Sequence, residues 1–177
     1  MMRKWAIAAP LLLFSAFLAL AIWALVAPPS RDVPSRMIGQ PLPAIALDPQ
    51  VPGKPGMASA DYKGGEARLI NVFGSWCIPC RVESPQMLEL ARAGVPIDAV
   101  AVRDTPEQVQ DFLAQYGDPF AAIGADPNGR FQVMLGSSGV PESFIVDGEG
   151  IIRYQHIGEI RPEHVADIVA KWREASQ

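Results

Sequence analysis

The chain has 177 residues, and its first 27 contain no acidic side chain, leaving about 150 residues, enough for one domain with a single buried core. That remainder holds all 19 acidic residues and every basic one except Arg3 and Lys4. Lacking a basic run to meet phosphates, it is not a nucleic-acid binder, and the whole chain, with 49% hydrophobic and 19% charged residues, is not a disordered one.

Residues 5–27 form an uncharged run broken only by Pro10 and Ser15. As a helix it would span roughly 34 Å, enough to cross a hydrocarbon core of about 30 Å. A cleaved signal peptide has a shorter apolar region, and a cut after Ala27 would face Leu25 at the third position before it and Pro28 just beyond. The expectation is a retained transmembrane anchor. Arg3 and Lys4 put residues 1–4 on the cytoplasmic side. The rest then lies outside, in an oxidising compartment where cysteines cycle through disulfides. The expected division is a tail over 1–4, an anchor over 5–27, a linker over 28–38 and a catalytic domain over 39–177.

Eight of the 17 prolines fall between Pro28 and Pro55, which reads as extended entry chain with a short strand at 43–47. Arg68–Phe73 (RLINVF) is a compact apolar run typical of a buried strand. A helix is expected over 78–92, a strand at Ile97–Val102, and a helix over Pro106–Tyr116 with Thr105 before it and Pro106 at its first position. Residues 143–146 and 151–155 flank Asp147-Gly148-Glu149-Gly150, a strong hairpin signal. A closing helix follows over 161–174. The order predicts an α/β fold: a central mixed sheet flanked by helices, with an antiparallel edge.

Cys77 and Cys80 are the only cysteines, so no disulfide framework exists and the pair needs a chemical explanation. The segment Trp76-Cys77-Ile78-Pro79-Cys80 joins a buried strand to a helix. At a helix start Cys77 meets unpaired N–H groups and the helix dipole, which favour its thiolate. Cys80, one turn in, is more buried and stays protonated. Cys77 therefore reads as the attacking thiol and Cys80 as the resolving one. Half of a zinc site is the competing reading, but His156 and His164 stand eight apart, outside the usual ligand spacing. Covalent haem attachment needs His after the second cysteine, where Arg81 stands. Ile78 and Pro79 offer Cys77 no positive charge, and Glu83 opposes its ionisation, so the expected dithiol is mild or reducing.

LINVFGSWCIPC, followed by Arg81, Glu83 and Pro85 and later by GVPESFIVDGEGIIRYQHIGE, resembles the membrane-anchored thioredoxin-like DsbE/CcmG proteins of cytochrome c maturation. The resemblance implies a thioredoxin fold in the bacterial periplasm, tethered to the inner membrane. It implies reduction of the haem-binding CxxCH of apocytochrome c, directly or through another maturation factor, and re-reduction by a transmembrane electron carrier of the DsbD or CcdA type. No cofactor is implied. Pro141 matches the cis-proline facing the dithiol. Asn71 stands where thioredoxin has a buried aspartate, so Glu83, about one turn beyond Cys80 on the same helix face, is the substitute proton acceptor. Pro85 matches a helix-kinking proline. Trp76 either shields the disulfide or packs. Glu142 and Glu159 would add negative charge near the mouth, or be ordinary solvated acids.

Two other functions compete. A general periplasmic reductase of the TlpA-like kind differs only in its clients. A copper-delivery module like the SCO proteins would use CxxxC and a distant His, whereas this chain has CxxC and only His156 or His164 to add.

Overall fold

The computed structural model describes residues 2–26 and 35–177, with the side chains of 10–24 within the first stretch. It divides into two units, Met1–Asp32 and Val33–Gln177. The first contains helix α1 (Met2–Val26). Among the described residues no helix is long and apolar enough to cross a membrane. The described side chains cover only part of the span expected over 5–27, and most of the linker lies outside the described residues.

The second unit is built on five strands in the order β5-β4-β3-β6-β7: β3 (Arg68–Phe73), β4 (Ile97–Val102), β5 (Ala122–Asp126), β6 (Glu142–Val146) and β7 (Ile152–Ile157). β3, β4 and β5 run parallel, while β6 and β7 are antiparallel. This is the expected mixed sheet with an antiparallel edge. β3 lies in the middle, and its alternate residues feed two cores. Leu69 and Phe73 face one with Met87, Leu90, Val109, Phe112, Val165 and Ile168, and Cys77 and Cys80 belong to it. Ile70 and Val72 face the other, with Leu42, Met57, Tyr62, Phe131 and Leu135.

The helix expected over 78–92 is broken into α2 (Ile78–Val82) and α3 (Ser84–Arg92), with Glu83 at the joint. Pro85 has no N–H to continue the ladder, and its ring disfavours the helical path before it. α4 (Pro106–Tyr116) starts from Thr105, whose hydroxyl accepts the Gln108 N–H while Gln108 reaches back to the Thr105 N–H. α6 (Pro162–Ala175) closes the fold, and Trp172 donates its indole N–H to the Ala67 carbonyl at 2.7 Å.

The short strand expected at 43–47 is present as β1 (Ala46–Leu47), whereas β5, the strand β2 (Met57–Ala58) and α5 (Arg130–Met134) were not expected. β5 carries Gly124 where a Cβ would lie 2.8 Å from Leu47, so the close approach of β1 demands glycine in a strand interior. β1 pairs with β2 in a separate two-stranded sheet. α5 is a single short turn led by Gly129 at φ 68°. The linker placed over 28–38 also ends early. The Ser35 N–H already bonds Gln155 at 2.7 Å, and the Gly39 N–H bonds the Ile152 carbonyl at 2.7 Å. Residues 35–38 therefore belong to the domain.

Toward the end of the sheet remote from the cysteines, Asp98 on the interior strand β4 is 3% exposed. It accepts the Tyr62 hydroxyl at 2.8 Å and both Nε and Nη2 of Arg68 at 2.6 Å. Burial and the adjacent carboxylate push the Tyr62 phenol far above its usual range. The Arg68 guanidinium is held in its charged form mainly by its bond to Asp98.

Candidate active site

β3 ends at Phe73, and Gly74 turns the chain toward the dithiol. A Cβ at Gly74 would lie 2.6 Å from the Trp76 indole, so glycine lets that ring approach the backbone closely. The indole N–H donates to the Val102 carbonyl at 3.0 Å, and half of the side chain stays exposed. Trp76 thus packs against the end of β4.

Cys77 is the N-cap of α2 and is bonded to Cys80 in a disulfide, with Cα atoms 5.3 Å apart. Its sulfur accepts the Cys80 N–H at 3.2 Å, the place where a helix end offers an unpaired donor. Both cysteines are buried in the oxidised state, Cys77 at 4% exposure and Cys80 at 1%. Ile78 and Val82 on the same short helix are exposed. The Val140–Pro141 peptide bond is cis. Pro141 and Pro79 line one open groove, joined by Glu159, Arg161 and His164 from the β7–α6 connection and the start of α6.

Glu83 is not a solvated charge in a first helical turn. It is 1% exposed. Its Oε1 accepts the Asn71 amide at 3.0 Å, and its Oε2 accepts the Ile160 N–H at 2.8 Å. Asn71 also donates to Ser143 across the sheet at 3.0 Å. Burial pushes the carboxyl from its usual 4.5 up to about 7, against the two hydrogen bonds, which favour the ionised form. Glu83 and Cys80 share the wall of a cavity of about 10 Å³, near the lower limit for one water. The buried acid that thioredoxin keeps on the strand is here carried by the helix joint, with Asn71 turned to hold it.

The remaining acids separate. Glu142 is neither solvated nor at the mouth: it is 1% exposed and accepts the Ser138 N–H, the Ser138 hydroxyl and the Gln155 amide. It ties the loop ahead of Pro141 to β7. Glu159 does line the groove, paired with Arg161 at 3.0 Å. The two histidines, eight apart in sequence, meet with ring centroids 4.6 Å apart. Each commits one ring nitrogen: His156 Nε2 to the Glu159 carbonyl, and His164 Nδ1 as acceptor of the Arg161 N–H. Burial, and then the His164 neighbour, lower the His156 pKa. Among the described residues no group of three metal-ligating side chains occurs. Ser75, Arg81 and Asp104 also flank the dithiol; of these only Arg81 stood out in the sequence, as part of the motif, while Asp104-Thr105-Pro106 reads simply as a helix start.

The redoxin family model matches residues 37–171. The thiol:disulfide interchange protein HelX of Rhodobacter capsulatus is 36% identical over 162 residues, 92% of this chain and 89% of its own length. The chain belongs to the redoxin family, among its DsbE-type thiol:disulfide interchange proteins. DsbE of Pseudomonas fluorescens is 37% identical over 90% of this chain and 88% of its own. A crystal structure of a DsbE-type protein from Chlorobium tepidum aligns over 82% of this chain and all of its own, with TM-score 0.68 and 26% identity. The architecture is thioredoxin-like, and this redoxin is a thiol:disulfide oxidoreductase.

Proposed function

We propose that the chain is a membrane-anchored periplasmic reductant of cytochrome c maturation, acting on the CxxCH disulfide of apocytochrome c. The observation that carries this reading is a dithiol set at a helix N-terminus over a buried carboxyl, in a chain whose relatives bear the names DsbE, HelX and CycY. In the reduced protein the Cys77 thiolate attacks one client sulfur. The client S–S bond breaks, a mixed disulfide forms, and the leaving client thiolate takes up a proton. Cys80 then passes its proton to Glu83 and attacks the Cys77 sulfur. The second client thiolate leaves and the Cys77–Cys80 disulfide remains. Two electrons have moved to the client. Pro141, with no N–H of its own, forms the groove wall against which the client chain lies beside the dithiol. A dithiol of a DsbD- or CcdA-type carrier resets the pair.

Trapping tests the client. A Cys80→Ser chain, expressed in full, should accumulate mixed disulfides through Cys77 with proteins containing CxxCH. A trapped set without CxxCH sequences makes it a general reductase of the TlpA-like kind. Role assignment is read by alkylation of the reduced protein: Cys77 should be labelled first, and faster labelling of Cys80 reverses the two roles.

The anchor rests on the uncharged run over residues 5–27 and on the side chains described within it. Its exposed side chains include Leu11, Leu12, Leu13, Phe14, Phe17, Leu20 and Trp23. Such a surface is at home among acyl chains rather than in water. The mature protein should fractionate with inner membranes and retain residues 5–27. An N-terminus at or after Pro28 would refute it.

A further inference from the structure

The residues at the end of β4 make contacts that neither the sheet nor α4 requires. Val102 accepts the Trp76 indole N–H. Arg103 sits at φ 55°, a left-handed conformation that side chains other than glycine rarely adopt. Its N–H donates to the Asp126 carbonyl at 3.2 Å. This turn delivers Asp104 to the loop ahead of the dithiol. Asp104 Oδ2 accepts the Ser75 N–H at 2.8 Å, and Oδ1 accepts the Ser75 hydroxyl at 2.5 Å. Gln50 fixes the Asp104 carbonyl at 3.1 Å. On its other side, the Ser75 carbonyl accepts Nε and Nη2 of Arg81 at 3.0 and 2.7 Å.

Ser75 lies two residues before Cys77, and Arg81 directly follows Cys80. Segment 75–81 is thus closed on itself outside the disulfide, and the closure is anchored to β4. None of these bonds involves a sulfur atom, so reduction of the disulfide breaks none of them.

We propose that Asp104 is a positioning residue of the dithiol: by gripping Ser75, with Arg81 closing the ring, it keeps Cys77 and Cys80 together in the reduced protein. The equilibrium between dithiol and disulfide depends on the effective concentration of one thiol at the other. Loosening the grip lowers that concentration and shifts the pair toward the dithiol, making the protein less reducing. The Asp104 charge acts in the same direction, since a nearby carboxylate disfavours the Cys77 thiolate. Grip and charge therefore have to be separated.

The probe is equilibration of the full chain with reduced and oxidised glutathione, which is independent of the natural client. Asp104→Ala removes grip and charge together. Asp104→Asn removes the charge but keeps both contacts, because its oxygen accepts the Ser75 N–H and its amide donates to the Ser75 hydroxyl. Ser75→Ala keeps the charge and loses the hydroxyl contact. Asp104→Ala should shift the equilibrium about tenfold toward the dithiol, equivalent to about 30 mV. Asp104→Asn should shift it by about threefold or less, and Ser75→Ala by more than Asp104→Asn. An Asp104→Ala equilibrium within about twofold of the parent, with only thermal stability lowered, would overturn the proposal by leaving Asp104 a purely structural role. An Asp104→Asn shift as large as that of Asp104→Ala also overturns it, by assigning the effect to charge. Should Asp104→Ala fail to fold, the comparison of Ser75→Ala with Asp104→Asn decides: a larger shift for Ser75→Ala supports the grip, and an equal or smaller one overturns it.

Discussion

Glu83→Gln should slow resolution of a mixed disulfide at Cys77 about a hundredfold, in the range that loss of a positioned base produces. In the parent, the resolving step should accelerate as pH rises through about 7, where Glu83 gives up its proton and becomes able to accept another. The variant should lose that inflection. Gln keeps the fold: its oxygen accepts the Ile160 N–H, and its amide pairs with Asn71 once that amide turns its oxygen inward to accept from Ser143 as well. The same residue links stability to pH. A carboxyl raised from its usual 4.5 to about 7 in the native state costs nothing below pH 4.5, where both states are protonated. Between about 4.5 and 7 the unfolded chain ionises while the native chain holds its proton, so stability falls by on the order of 3 kcal/mol and then levels off. Chemical denaturation at pH 4.5 and pH 8 should show this fall in the parent and a flat response at this site in Glu83→Gln. An unchanged resolution rate and an unchanged stability profile would leave the proton of Cys80 without its proposed acceptor.

The largest stability effect is expected at the other end of the sheet. Asp98→Ala leaves the buried Tyr62 hydroxyl and the partly covered Arg68 guanidinium without their shared acceptor. Breaking such a pair costs about 3 kcal/mol, or a fall in melting temperature of about 6–12 °C for a domain of this size. Asp98→Asn, which keeps one acceptor oxygen, should lose about half as much. The glutathione equilibrium of both variants should match the parent, because Asp98 pairs with Ile70 while the cysteines follow the opposite end of β3. A loss below about 1 kcal/mol would mean that water replaces the carboxylate there.

What could be read from the sequence is what short-range patterns encode. β3 and β4 are unbroken apolar runs, α4 begins with a Thr and a Pro, and the Asp147 turn joins β6 to β7; each is written within a dozen residues. β5 was missed because Gly124 removes its apolar centre, and the reason for that glycine lies on β1, far away in sequence. α5 is too short to show a period. The cysteine pair was legible, since no other chemistry suits it. The state of Glu83 was only partly so. Its position follows from helix spacing, but its burial depends on Asn71 and on Ile160, 77 residues away. Glu142 was misread because buried acids look like solvated ones until Ser138 and Gln155 are in place. Asp104 gave no signal, because its partner Ser75 is joined to it only by the fold.

The hydrogen bond from Ile160 to Glu83 joins the buried carboxyl to the rim of the groove beside Pro141. Ile160 lies between Glu159 and Arg161, the two charged residues that line that groove. The bond favours the ionised carboxylate, so lengthening it would strengthen the hold of Glu83 on a proton. A client chain that shifted this rim on docking would therefore alter the acidity beneath Cys80 without touching either sulfur. Proton uptake and client occupancy would then be two readings of one displacement, with the timing of resolution following how the groove is filled.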